Sequence, residues 1–199
     1  MTKKAEKKAK TDTIPDKVDL TYKIEIATQT LDRNIGFITN CDNKTSIVLA
    51  SFGVLLTIIF TNEGLNKILN IVKTSIETKT FCSILYLFCL AGATCVLFLG
   101  IFYLGSALVA KTSEEAIGRK DDSSRIFFSG IRKKGDCKTY NQKFRAMDEE
   151  NLLNDLIEQI YINADIADTK YASYNRGLKC TAIGFFFFVA FLLVGIIIC

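Results

Sequence analysis

DEENLLNDLIEQIYINADIADTKYASYNRGLKCTAIGFFFFVAFLLVGIIIC, residues 148–199, is the stretch that decides the fold. It opens with the carboxylates of Asp148, Glu149 and Glu150, which suit the positive end of a helix macrodipole. Apolar or small residues then recur at Leu153, Ile157, Ile160, Ala164, Ala167, Tyr171, Tyr174 and Leu178. Their spacing alternates between four and three residues, a heptad seam rather than a strand alternation. No proline interrupts the pattern, and its single glycine, Gly177, comes late. Thr181 to Cys199 follows without a turn signal and without a charge, close to the roughly 20 helical residues that cross a bilayer core. Thirteen large apolar residues lie between Ile183 and Ile198. At about −0.3 to −0.6 kcal/mol each, they supply on the order of −4 kcal/mol or better for insertion. The expectation is one unbroken helix, in water over 148–179 and in lipid over 180–199.

The other segments follow the same logic. The chain has 199 residues, 49% of them hydrophobic and a net charge of +4, and the apolar residues are concentrated in blocks. Two further uncharged blocks predict membrane helices over 45–61 and 81–110, so the fold class is an all-α membrane protein with three transmembrane helices. Within the second block, Gly92, Val96 and Gly100 form a thin face for close helix contact. Residues 1–16, rich in lysine, are expected to be a disordered basic tail ended by Pro15. Residues 17–44 are expected to be an amphipathic helix with Ile24, Thr28, Leu31, Ile35 and Ile38 on one face. Residues 62–80 read as a short amphipathic outer loop and 111–147 as an irregular cytoplasmic segment. The juxtamembrane parts of the first and last helices are expected to form a cytoplasmic helical bundle.

Lysine and arginine counts set the topology. Residues 1–44 hold nine, 62–80 three and 111–179 thirteen. The positive-inside rule therefore places the N-terminus and the 111–179 segment in the cytoplasm, giving a multi-pass membrane protein. No secretory signal is expected, because the first apolar block begins far from the N-terminus.

Several chemistries lack their residues. Histidine is absent, which removes Ser-His and Cys-His catalysis, and no phosphate-cradling glycine loop is present. The seven cysteines include no C-x-x-C pair, so neither a metal site nor a disulfide framework is expected. The acidic pairs Glu114-Glu115, Asp121-Asp122 and Asp148-Glu149 lie on polar stretches as solvated faces or helix starts. The expectation is a non-enzyme without a cofactor. The small, dispersed positive charge does not suggest nucleic-acid binding. Phe127 and Phe128, adjacent in a basic loop, suit either burial or a pocket with an aromatic face for a base and Arg or Lys for phosphate.

Three segments carry a resemblance. Cys41-Asp42-Asn43-Lys44-Thr45-Ser46-Ile47-Val48-Leu49 is similar to a D-x-K-A-S-hydrophobic lead into a first span, with Thr45 in place of alanine. Ser124-Arg125-Ile126-Phe127-Phe128-Ser129-Gly130-Ile131 looks like an aromatic segment after a second span, with Ser129-Gly130 in place of Gly-Asp. Ile157-Glu158-Gln159-Ile160-Tyr161 and Asp168-Thr169-Lys170-Tyr171 resemble the lead into a last span. Together they resemble the PycTM-type Pycsar effector proteins of bacterial antiphage defence. The resemblance implies a membrane effector that senses cyclic UMP or cyclic CMP, impairs inner-membrane integrity and causes abortive infection. It also implies the bilayer as a partner and self-association into a homo-oligomer. The residues expected at the ligand are Asp42, Lys44, Arg125, Phe128, Lys133 and Lys170. Two alternatives stand beside this: a SLATT-type conflict-system membrane effector answering another nucleotide, and a non-signalling membrane scaffold.

Overall fold

The computed structural model describes residues 14–78, 80–109, 124–127, 130–131 and 135–198. The described chain is all-α, with helices α1 (Ile14–Ile59), α2 (Asn62–Thr78), α3 (Phe81–Leu108), α4 (Cys137–Arg145) and α5 (Glu149–Ile198). Three of them are long and apolar enough to cross a membrane: α1, α3 and α5. The basic tail expected over 1–16 lies outside the described residues as far as residue 13. Helix α1 starts at Ile14 rather than 17, with Pro15 in the first turn, where a missing N–H costs no hydrogen bond.

Local chemistry sets the helix ends. Asp148 Oδ1 accepts from Asn151 N at 2.8 Å, and Glu149 and Glu150 occupy the first turn of α5. Asp136 caps α4 by accepting from Thr139 N at 3.0 Å, after Gly135 has turned the chain at a φ of 91°. Hydrogen bonding by the Thr139 side chain, and then by its backbone N–H, holds the exposed Asp136 carboxyl below its ordinary value of 3.8. The 62–80 segment, expected as a loop, is helical over Asn62–Thr78 and buries Ile71 and Ser75.

The molecule comprises two compact units. One combines Met1–Ile38 with Lys111–Ala167, the other Thr39–Ala110 with Asp168–Cys199. In the second unit, Leu90, Ala93, Leu97, Phe188 and Leu192 form the core, flanked by Leu56, Ile59, Ile68 and Tyr86. Inside lipid no hydrophobic gain drives helices together, so close packing and a few polar contacts must do so. Glycines on the α3–α5 seam permit that approach. A Cβ on Gly100 would run into the Thr181 backbone, one on Gly177 would lie 2.8 Å from Leu104 N, and one on Gly184 2.5 Å from Leu97 N. Tyr86 adds a hydrogen bond from its hydroxyl to the Phe191 carbonyl at 2.8 Å.

Two expected faces are corrected. The Gly92–Val96–Gly100 face is not the contact surface, since a Cβ on Gly92 would meet nothing and Val96 is exposed. The packed face of α3 is Leu90, Ala93, Leu97, Gly100, Leu104 and Ala107. On α5 the seam sits one residue earlier than the apolar periodicity indicated. Leu156, Gln159, Ile166, Lys170 and Gly177 are buried, while Ile157 is 53% exposed. One residue is about 100° of helix rotation, so the expected stripe lies on the flank of the core, with Ile157 and Ala164 exposed and the other positions half-buried.

Candidate functional site

Two polar constellations stand out, one in each unit. The first is centred on Lys170, a helix α5 residue whose side chain is only 4% exposed. Its Nζ donates to Asp42 Oδ1 of α1 at 2.6 Å and to the Ala107 carbonyl near the end of α3 at 2.7 Å. One ammonium therefore joins three helices of the second unit. Beside it Cys41 and Thr45 are fully buried, with Thr45 Oγ1 donating back to the Cys41 carbonyl at 2.8 Å. The Ala107 carbonyl is available because a helix leaves its last carbonyls without intrahelical donors. Removing a charge from water costs several kcal/mol, which only a close partner and further hydrogen bonds offset. Asp42, at 36% exposed, retains access to solvent while Lys170 does not.

The second constellation lies in the first unit and is organised by the segment that resembled an aromatic motif. Ser124 is buried, and its Oγ accepts from Phe127 N at 3.0 Å. Ile131 N donates to the Phe127 carbonyl at 2.9 Å, and a Cβ on Gly130 would lie 2.5 Å from the Ser124 carbonyl. This tight turn presents Arg125, whose backbone is clamped on both sides. Its N–H donates to Asp155 Oδ2 of α5 at 2.7 Å, and its carbonyl accepts from the Tyr140 hydroxyl of α4 at 3.0 Å.

The side chains around that clamp are less complete. Arg125 Nη1, Asp155 Oδ1 and Gln159 Oε1 are all buried without a hydrogen-bond partner among the described residues. Arg125 and Asp155, with Asn151, Asn154 and Glu158, line a polar cleft of about 210 Å³. That is smaller than the roughly 300–1,000 Å³ of a drug-sized ligand site. Buried polar groups are nearly always paired, so two orphans on residues of one cleft, with Gln159 one turn along α5 from Asp155, suit a group that binds there. A guanidinium offers paired donors to a phosphate, and the carboxylate and amide oxygens accept from hydroxyl or N–H groups.

Of the six residues expected at a ligand, the structure brings Asp42 and Lys170 together and makes them each other's partner. Lys44 is exposed on α1. Arg125 lines the polar cleft, and Phe128 and Lys133 lie outside the described residues. Sequence reasoning missed Asp155 and Gln159. Their i, i+4 spacing on the helix was the available signal, hidden because both are polar. No group of acidic or cysteine residues among the described ones has the clustering of a metal site.

The Pycsar effector protein domain matches residues 26–197 of the chain. The chain belongs to the Pycsar effector family. A Pycsar effector protein of Gulbenkiania mobilis, GmPycTM, is 28% identical over 165 residues, which cover 78% of this chain and 84% of that protein. No solved structure matches the chain. Membership makes it a Pycsar-type antiphage membrane effector, and effectors of this family respond to cyclic pyrimidine nucleotides. The matched region takes in both the Lys170 and the Arg125 constellations.

Proposed function

We propose that this Pycsar effector binds cyclic UMP or cyclic CMP in the Arg125 cleft and thereby impairs the inner membrane, ending an infection by death of the cell. The observation that carries this reading is that Arg125 Nη1 and Asp155 Oδ1, both buried without a partner among the described residues, belong to residues lining one polar cleft. In the proposed complex Arg125 holds the cyclic phosphate, Asp155 and Glu158 accept from the ribose hydroxyl, and Asn151 and Asn154 read the edge of the base. Phe128 and Lys133 are proposed as further ligand contacts on chemistry alone, an aromatic face suiting a base and an ammonium a phosphate. Lys44 adds positive charge at the bilayer edge. Asp42 and Lys170, already each other's partner, hold α1, α3 and α5 together in this reading rather than contact the nucleotide.

A ligand shifts such an equilibrium only by binding one arrangement better than the other. Helices α1 and α5 each contribute residues to both units, which supports a mechanical route from the cleft to the spans. The lysine and arginine counts support a cytoplasmic N-terminus and a cytoplasmic Arg125 segment. Self-association into a homo-oligomer is supported by the outward stripe of α5, where Ile157 and Tyr161 (68% exposed) remain uncovered.

Equilibrium binding of labelled cyclic UMP and cyclic CMP to the purified full chain tests the assignment. One of the two is expected to bind saturably, with unlabelled cyclic AMP failing to displace it. Binding unchanged in Arg125→Gln would remove the cleft from consideration.

A further inference from the structure

Within the second unit, a slot of about 260 Å³ opens where the end of α1, helix α2 and the end of α5 meet. Its walls include Ile58 and Ile196, both largely exposed, with Ile68 and Ile71 behind them. Lys67 is the only charged residue that lines it. Among the described residues no ion pair holds Lys67, whereas Lys73 on the same helix pairs with Glu77 at 4.0 Å. Glu63, one turn before Lys67, does not line the slot.

We infer that this slot binds an anionic phospholipid, with an acyl chain along the isoleucines and the headgroup phosphate on Lys67. Three observations select that occupant. The slot adjoins the ends of two spans, so the medium against its open side is the bilayer itself. On α5 its wall runs from Val189 to Ile196, about 10 Å at helical rise, whereas a partner span needs an apolar face of roughly 30 Å. A lone unpaired ammonium beside an otherwise apolar wall complements one phosphate at the end of one hydrocarbon chain. The inference does not depend on the nucleotide reading, because the slot and the Arg125 cleft share no residue.

The test is native mass spectrometry of the full chain in detergent, titrated with phosphatidylglycerol or phosphatidylcholine. The wild type is expected to retain phosphatidylglycerol in about fivefold preference, the factor one lysine near an anionic headgroup supplies. Lys67→Gln is expected to level the two lipids, Lys73→Gln to keep the preference, and Leu193→Trp, which fills the slot, to lower retention of both. Equal retention by wild type and Lys67→Gln overturns the inference. So does an equal effect of Lys73→Gln, which would mean general surface attraction. Loss of a dimer rather than of lipid in Leu193→Trp would assign the slot to a second copy and overturn it as well.

Discussion

Lys170 and Arg125 are both basic residues set against an acidic partner, and they are finished differently. Lys170 is sealed: its ammonium is buried and meets a carboxylate and a helix-terminal carbonyl at short range. Arg125 is clamped by its backbone, while its guanidinium faces a cleft with Nη1 unpartnered. A saturated cation fixes helices against one another. A buried donor without an acceptor keeps a costly vacancy, which suits a group that comes and goes. The difference is between a cation whose partners its own helices supply and one whose guanidinium leaves a buried donor unused among the described residues.

The largest expected effect breaks the sealed side. Asp42→Ala strands the Lys170 ammonium inside the protein and should cost about 3–5 kcal/mol, visible as a lowered thermal midpoint in detergent. Lys170→Met should cost less, because Asp42 can turn to water. Equal losses would mean that the pair is less asymmetric than its burial indicates. On the open side, Arg125→Gln should leave that midpoint nearly unchanged yet weaken nucleotide binding about tenfold to a hundredfold, as loss of charged hydrogen bonds predicts.

Next come the glycines of the seam. Gly184→Ala should cost about 1–3 kcal/mol through overpacking against Leu97, whereas Gly92→Ala and Gly105→Ala, which meet open space, should be close to neutral. Comparable effects at all three positions would place the helix contact elsewhere. The smallest effect concerns α4. The Asp136 carboxyl sits below its ordinary value, so its capping contribution is complete above the unfolded value and lost as pH falls through the folded one. Protection of the Thr139 amide from hydrogen exchange should therefore hold at neutral pH and fall only below about pH 4. Asp136→Asn should keep the cap and abolish that dependence.

Lipid imposes a simple demand, and the parts of the chain that answer it were readable from residue order. Uncharged blocks give the spans because a charge there is expensive, and Asp148 to Glu150 mark the start of α5 because helix N-termini attract carboxylates. The rotation of α5 was not readable from apolar spacing. Its buried face holds Gln159, Lys170, Gly177 and Thr181, chosen for hydrogen bonding and closeness rather than hydropathy. Gly100 belongs to the α3 contact and Gly92 does not, a distinction that only the partner helix makes. For the site, Asp42, Arg125 and Lys170 were each singled out by sequence as ligand contacts, but the pairing of Asp42 with Lys170 was not, and the opposite finish of the lysine and arginine environments depends on Asp155 and Ala107. One is a polar residue on a helix face and the other a backbone carbonyl. Neither leaves a trace in composition.

The account turns on the Arg125 cleft commanding the membrane. Dye release from liposomes carrying the purified full chain, with cyclic UMP or cyclic CMP added outside or sealed within, measures that directly. Release by wild type with one of the two nucleotides, and none by Arg125→Gln, is the predicted result. Release by Arg125→Gln equal to wild type, or no release by wild type at saturating nucleotide on either side, would contradict it.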